Sequence, residues 1–323
     1  MADPTLPPLR ARARWLYAVA WLVGRLPLRV LHGIAGLAAR LAGTRGRDYQ
    51  VALTNLRLIA AASGSDPGAF ASDANVRAVL RGNVMTALES LRFWTRPASA
   101  NLALVHAVHG LEHLQAALAQ GRGLLIAAPH YGNWELLNQW LAQRMELAVL
   151  YAPPESADMD AFLNHVRQRP GVQTIRAEAA GVRRQLRHLQ GGGALGILPD
   201  QQPKRGGDGV FAPFFGRPAL TMTLFSRLAR RSGAPALLVA AERNADARGF
   251  SIHIAPLPAA VADDDAQQAC TALNAAIEVL ARRDFRQYQW AYKRFSLSPD
   301  GSDNPYWPHA YPRATRSREG GVE

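Results

Sequence analysis

At 323 residues, 48% of them hydrophobic, the chain can bury a full core and is too apolar to be a disordered segment. Its single cysteine, Cys270, excludes an intramolecular disulfide framework and any multi-cysteine zinc site, and suits a reducing compartment. The net charge of +12 is carried almost wholly by arginine, Lys204 and Lys293 being the only lysines, a preference that a GC-rich genome would also produce. Such a balance points to acidic partners: anionic lipid headgroups, nucleic acid or an acidic protein.

Residues 1–14 are rich in Pro and Arg, and the apolar run from Trp15 to Gly24 that follows is stopped by Arg25. Ten helical residues reach only about 15 Å, half the hydrocarbon core of a bilayer. A secretory signal would carry small residues where Arg25 and Arg29 stand, and apolar helical character resumes from Leu26 to Leu41. Arginines interleaved with leucines and tryptophans predict helices lying in the membrane interface over residues 1–47. A tilted single span with snorkelling arginines is the alternative.

From Asp48 to Trp94 the pattern stays helical. Val76, Val79, Leu80, Val84, Leu88 and Leu91 form a stripe with Ser72 as N-cap, and a loop is expected at residues 64–68. After Pro97 the chain changes character. Strands are predicted at 102–107, 123–128, 146–151, 172–176, 194–198, 235–242 and 250–256. Helices are predicted at 110–119, 133–144, 157–168, 180–190, 218–232 and 264–283. This alternation predicts an α/β fold: a largely parallel mixed sheet flanked by helices, spanning 48–297 behind the N-terminal membrane-attachment segment. Residues 298–323, rich in Pro, Gly and Ser, are expected to form a loose tail.

Two blocks carry candidate chemistry. The first runs from Gly123 to Glu135: an apolar strand, a turn made by Pro129 and Gly132, then a helix start with Asn133 as N-cap. His130 lies in the turn and Glu135 in the first helical turn. Five residues of pure helix would set them about 140° apart, so His130 must precede the helix for Glu135 to fold back toward the imidazole. A histidine oriented by a carboxylate can act as a general base, and free N–H groups at the helix start favour developing negative charge. The spacing alone is weak, because 25 acids among 323 residues place one five positions after a given histidine about one time in thirteen. A turn histidine with a capping glutamate is the plain alternative.

The second block runs from Leu198 to Thr221. A strand ends at Asp200, a basic glycine-rich loop holds Lys204 and Arg205, and an aromatic run follows with Phe211, Phe214 and Phe215. In open α/β sheets ligands bind beyond the carboxyl ends of strands, where His130 and Asp200 are both expected, although the phenylalanines could equally plug the core. Other patterns fail their context. Gly191, Gly193 and Gly196 spell G-x-G-x-x-G ahead of a strand rather than a helix, and there is no Walker loop or G-x-S-x-G elbow. His106, His109 and His113 cluster in sequence without a further ligand, so no metal site is assigned.

The H-x4-E turn, the Pro199-Asp200-Gln201 turn and the G-V-F-x-P-F-F-G-x-P-A segment together resemble the bacterial lipid A late acyltransferases, the lauroyl and myristoyl transferases of the lysophospholipid acyltransferase superfamily. Asn55-Leu56, Gly110-Leu111-Glu112-His113, Gln289-Trp290 and Lys293-Arg294-Phe295 extend the resemblance over most of the chain. H-x4-D/E is shared across the superfamily, whereas the second block is specific to this branch. The resemblance implies acyl transfer from acyl carrier protein to a hydroxyl of a lipid A precursor or related glycolipid. The reaction would take place at the cytoplasmic face of the inner membrane, among its lipids, with no metal, no bound cofactor and no nucleic-acid partner. It makes residues 48–297 the acyltransferase domain. His130, Glu135 and Arg167 become its catalytic residues, with Arg169 close enough to be confused with Arg167. Asp200, Lys204, Arg205, Phe211, Phe214, Phe215 and Arg169 become substrate-binding residues. Tyr131 stands where many members carry Phe or Leu. Another amphiphile as acceptor, or a non-catalytic lipid-binding module, are the competing readings.

Overall fold

The computed structural model describes residues 11–151, 153–168, 171–176, 181–203, 207–246 and 248–307. The elements are, in chain order, α1 (Ala11–Gly24), α2 (Leu28–Leu41), α3 (Arg47–Ala62), α4 (Pro67–Phe70), α5 (Asp73–Thr95), α6 (Ala98–Leu102), β1 (Val105–His109), α7 (Leu111–Ala119), β2 (Leu124–Ala127), α8 (Trp134–Ala142), β3 (Leu147–Tyr151), α9 (Ala157–Arg167), β4 (Val172–Arg176), α10 (Gly181–Gln190), β5 (Ala194–Ile197), β6 (Gly209–Phe214), β7 (Arg217–Met222), α11 (Leu224–Ser232), β8 (Ala236–Arg243), β9 (Phe250–Pro256) and α12 (Ala266–Arg283). They fall into two compact units. The first is drawn from Met1–Leu31, Thr86–Leu198 and Leu228–Pro256, and the second from His32–Met85, Pro199–Arg227 and Leu257–Glu323.

The first unit holds a seven-stranded sheet in the order β1-β9-β8-β2-β5-β3-β4. Strands β8, β2, β5, β3 and β4 run parallel, while β9 is antiparallel to β8 and parallel to β1. This is the largely parallel mixed sheet flanked by helices that the alternation of elements predicts. Strand β2 is buried along its whole length, as a central strand covered on both faces must be. Its Leu124, Leu125 and Ile126 are fully removed from solvent, each side chain contributing about 1.5–3 kcal/mol. Gly110, which starts α7 with φ 78°, is required by packing, since a Cβ there would meet the Ile254 carbonyl oxygen at 2.1 Å.

Three predicted elements differ. The strand expected at 102–107 lies at 105–109, because Asn101 is buried in α6 and donates to Phe93 O and Gln139 Oε1, which keeps this stretch helical through Leu102. The loop expected at 64–68 gives way at Pro67 to α4, capped by the Asp66 carboxylate. The helix expected from 218 begins only at Leu224. Residues 217–222 instead pair antiparallel with 209–214 in a hairpin of the second unit. Phe215 and Gly216, with φ of 49° and 74°, form its two-residue turn, the left-handed conformation that hairpin turns demand.

Helices α1 and α2 form where apolar helical character was expected. No single helix among the described residues is long and apolar enough to cross a membrane; only the bent pair Arg12–Gly24 and Leu28–Leu41 reaches that length and composition together. Ala13 and Ala20 of α1 are buried with Phe162 and Val166 of α9, while Trp15, Trp21 and Leu22 stay exposed, as do Val30, Ile34, Leu37 and Leu41 of α2. In the tail, Tyr306 is fully buried in the second unit and its hydroxyl donates to Asn55 Oδ1 at 2.5 Å. Residues 308–323 lie outside the described residues.

Candidate active site

The sharpest local geometry follows β2. Ala128 N donates to Ile197 O of the neighbouring strand, and Tyr131 N turns back onto Pro129 O at 2.6 Å. Gly132 then takes φ 62° and touches β8 so closely that a Cβ would lie 1.9 Å from Ala241 O. Only glycine fits there. Asn133 N donates to Ala241 O at 2.9 Å, and its side-chain oxygen accepts from Glu135 N and Leu136 N, which makes Asn133 the N-cap of α8 as expected. His130 is thus held outside the helix, half-buried, with its ring edge-on to Trp134 at 4.9 Å. Tyr131 is buried and donates its hydroxyl to Glu242 Oε2 at 2.8 Å, so that group turns toward β8.

Glu135, 5% exposed in the first turn of α8, has its Oε1 on Arg167, at 3.0 Å from Nε and 2.5 Å from Nη2. Arg167 is the last residue of α9 and lies over the Tyr151 ring at 5.6 Å. A carboxylate at a helix start and a guanidinium at a helix end both complement their dipoles, which favours the pair beyond its direct attraction. The structure therefore joins Glu135 and Arg167, 32 residues apart, next to the histidine turn.

Behind that turn lies a second ion pair, buried on both sides. Glu89 of α5 is fully buried, and Arg243 at the end of β8 donates to both its oxygens, Nε lying 2.7 and 2.9 Å away. Arg243 Nη2 reaches Thr86 Oγ1 at 2.5 Å and Gly132 O at 3.1 Å, and Thr86 Oγ1 donates to the same Gly132 O at 3.1 Å. Asn133 Nδ2 donates to Glu89 Oε2 at 3.0 Å.

The second unit holds the second block. Asp200 is buried and accepts from the Tyr288 hydroxyl; burial first, and then this carboxylate, hold the Tyr288 phenol well above its usual value. Gln201 Nε2 donates to Gln289 Oε1, Gln202 N to the Tyr292 hydroxyl, and Gln202 Nε2 to Arg294 O. Arg294, almost wholly buried, donates to Leu220 O and Thr221 Oγ1 of the hairpin, and burial lowers its basicity. Phe214 and Phe215 are buried and pack with Trp290, while Phe211 is half-buried. Asn55 Nδ2 donates to the carbonyls of Trp290 and Tyr292. The scattered stretches 55–56, 199–221 and 289–295 thus meet in one unit. Arg169, Lys204 and Arg205 lie outside the described residues.

A family model for bacterial lipid A biosynthesis acyltransferases matches residues 3–296. The chain belongs to this family. It is 26% identical to the lipid A biosynthesis lauroyltransferase of Escherichia coli (strain K12) over 301 residues, covering 90% of this chain and 94% of that protein. It is 30% identical over 201 residues to the lipid A biosynthesis palmitoleoyltransferase of the same organism, covering 62% of this chain and 64% of that protein. The chain thus spans a little under two thirds of the palmitoleoyltransferase it matches. A phosphatidylinositol mannoside acyltransferase of Mycobacterium tuberculosis (strain CDC 1551 / Oshkosh) is similar over a shorter stretch, 32% identical over 146 residues and 44% of each chain.

Within this acyltransferase family member, sequence reasoning misses Thr86, Glu89, Glu242 and Arg243. One signal is present: Glu89 follows Leu88 of the apolar helical stripe inside a long helix, and an acid is fully buried there only if paired. Its partner is 154 residues away, beyond the reach of any local pattern.

Proposed function

We propose that this chain transfers a fatty acyl group from an acyl carrier protein thioester to a hydroxyl of a lipid A precursor, with His130 as general base. The observation that carries the reading is the turn after β2. In a chain of this family it holds a half-buried histidine at the carboxyl end of a central strand, beside a buried carboxylate paired with a half-buried guanidinium. The acceptor oxygen attacks the thioester carbonyl while the imidazole takes its proton. The tetrahedral intermediate then expels the thiolate, which recovers that proton from the imidazolium. Glu135 stabilises the imidazolium by its charge. The N–H groups of Asn133, Glu135 and Leu136 are committed to Ala241 O and Asn133 Oδ1. The oxyanion role therefore falls to the Trp134 N–H, with Arg167 supporting it or holding a phosphate of either substrate. In the second unit, Asp200, Phe211, Phe214 and Phe215 keep the substrate-binding role that the resemblance implies. No step calls for a metal or a bound cofactor.

The partners follow from charge and surface. Arg183, Arg184 and Arg187 are exposed on α10, whose Gln185 and Leu189 are buried, and they offer a dock for a strongly acidic carrier. The exposed apolar side chains of α1 and α2 would sit in the interface of the inner membrane, on its cytoplasmic face. A phosphatidylinositol mannoside acceptor is the second reading, favoured by the shorter similarity to the mycobacterial enzyme.

Mass spectrometry of lipids after incubation with acyl carrier thioester and each acceptor class in turn tests the proposal. It expects an alkali-labile product, one acyl group heavier, on the lipid A precursor. A product on phosphatidylinositol mannoside alone would move the chain to the second reading, and no acylation of any lipid would remove the enzyme reading altogether.

A further inference from the structure

We infer that Thr86, Glu89 and Arg243 are positioning residues for the acyl transfer, setting the angle between His130 and the helix that carries Glu135. The inference rests on His130 being the base. The peptide plane between Gly132 and Asn133 is the hinge between the two groups, two residues after one and two before the other. It is held at both ends. Its N–H donates to Ala241 O, and its carbonyl accepts from Thr86 Oγ1 and Arg243 Nη2, each at 3.1 Å. Glu89, fully buried, orients the Arg243 fork and takes the amide of Asn133, so the cap of α8 is fixed by the same carboxylate.

Stability alone does not account for this arrangement. A buried ion pair gains little over well-packed apolar residues of the same volume. What the pair adds is direction, because its donors and acceptors converge on Gly132 O and the Asn133 side chain. Glycine at 132 is imposed by the contact with Ala241, and glycine is the residue least able to hold its own peptide plane. The Thr86–Glu89–Arg243 cluster supplies the rigidity that the turn cannot. A shift of about 1 Å in a reacting group is enough to cost up to 10²-fold in rate.

The test uses the full chain with acyl carrier thioester and lipid A precursor. Thr86→Val removes the hydroxyl while leaving shape and ion pair intact, Thr86→Ser restores it, and Arg243→Lys keeps the charge but loses the fork. Thr86→Val and Arg243→Lys should lower kcat about 10- to 100-fold with KM within about twofold, while Thr86→Ser stays within about threefold of wild type. In a His130→Ala background Thr86→Val should change the residual rate by less than about twofold, because there is no base left to aim. Leu114→Ala, a core truncation, supplies a destabilised control that keeps kcat at temperatures well below its unfolding. If Arg243→Lys does not fold, Thr86→Val decides. Wild-type kcat in Thr86→Val, or an equal loss in both backgrounds, overturns the positioning role and leaves the base reading standing. Near-normal turnover in His130→Ala would remove the base reading and this inference with it.

Discussion

The two blocks that carry candidate chemistry end up in contrasting surroundings. In the first unit, the turn after β2 is surrounded by charges arranged in pairs, Glu135 with the half-buried Arg167 and the fully buried Glu89 with Arg243, around a histidine that stays half-exposed. In the second unit, the block after β5 is set among aromatic rings and tyrosine hydroxyls around the buried Asp200, and the deeply buried Arg294 donates to backbone and a threonine. Paired charges fix the direction of a polar group at high desolvation cost, whereas aromatic packing fixes the backbone by apolar burial. The first arrangement suits proton transfer and the second suits a wall.

The contrast breaks most easily at Glu135. Glu135→Gln should cut turnover by about 10²–10⁴ while leaving the urea midpoint unchanged, because in the proposed mechanism the charge that stabilises the imidazolium is lost. Turnover within threefold of wild type would reduce Glu135 to a partner of Arg167. In the second unit the order of effects should reverse. Phe214→Ala removes a fully buried ring and should cost about 3–5 kcal/mol in urea unfolding, with activity following stability rather than leading it. If that variant unfolded like wild type yet had lost activity, the ring would be a substrate contact and not a packing element.

Smaller effects sharpen the picture. Docking of an acidic carrier on the α10 arginines should weaken with salt, whose Debye length falls to about 3 Å at 1 M. Replacing Arg183, Arg184 and Arg187 by Gln should therefore raise KM for the carrier thioester and flatten its salt dependence. A steep salt response unchanged by these substitutions would move the dock elsewhere. In the second unit, burial raises the phenols of Tyr288, Tyr292 and Tyr306 above their usual value of about 10. The folded state holds their protons more tightly than the unfolded chain does. Their contribution to stability is therefore full below pH about 10 and lost as pH climbs through the raised values. Urea midpoints measured from pH 8 to 11 should fall above 10, and a flat profile would contradict the burial of these rings.

Much of this was legible in the sequence where the signal is local. Apolar runs bounded by glycines mark the strands of the large sheet, and Asn133 marks the start of α8 because capping needs only the next three residues. The β6–β7 hairpin was not legible, since Leu220, Leu224 and Leu228 mimic a helical stripe and Pro218 mimics a helix start. The deciding feature is the Phe215-Gly216 turn, whose left-handed backbone carries no hydrophobic signature. Arg167 was accessible only through family resemblance, and its pairing with Glu135, like the Glu89–Arg243 pair, not at all. Partners that far apart meet through the topology of the sheet and not through any period in the chain.

The most direct test of the account is the turnover of His130→Ala, alone and combined with Glu135→Ala, on protein whose urea midpoint matches wild type. Acyl transfer through this turn predicts a loss of about 10²–10⁴ for His130→Ala, with the double variant scarcely worse than the single because the two groups act as a unit. Near-normal turnover in the folded His130→Ala protein would contradict it.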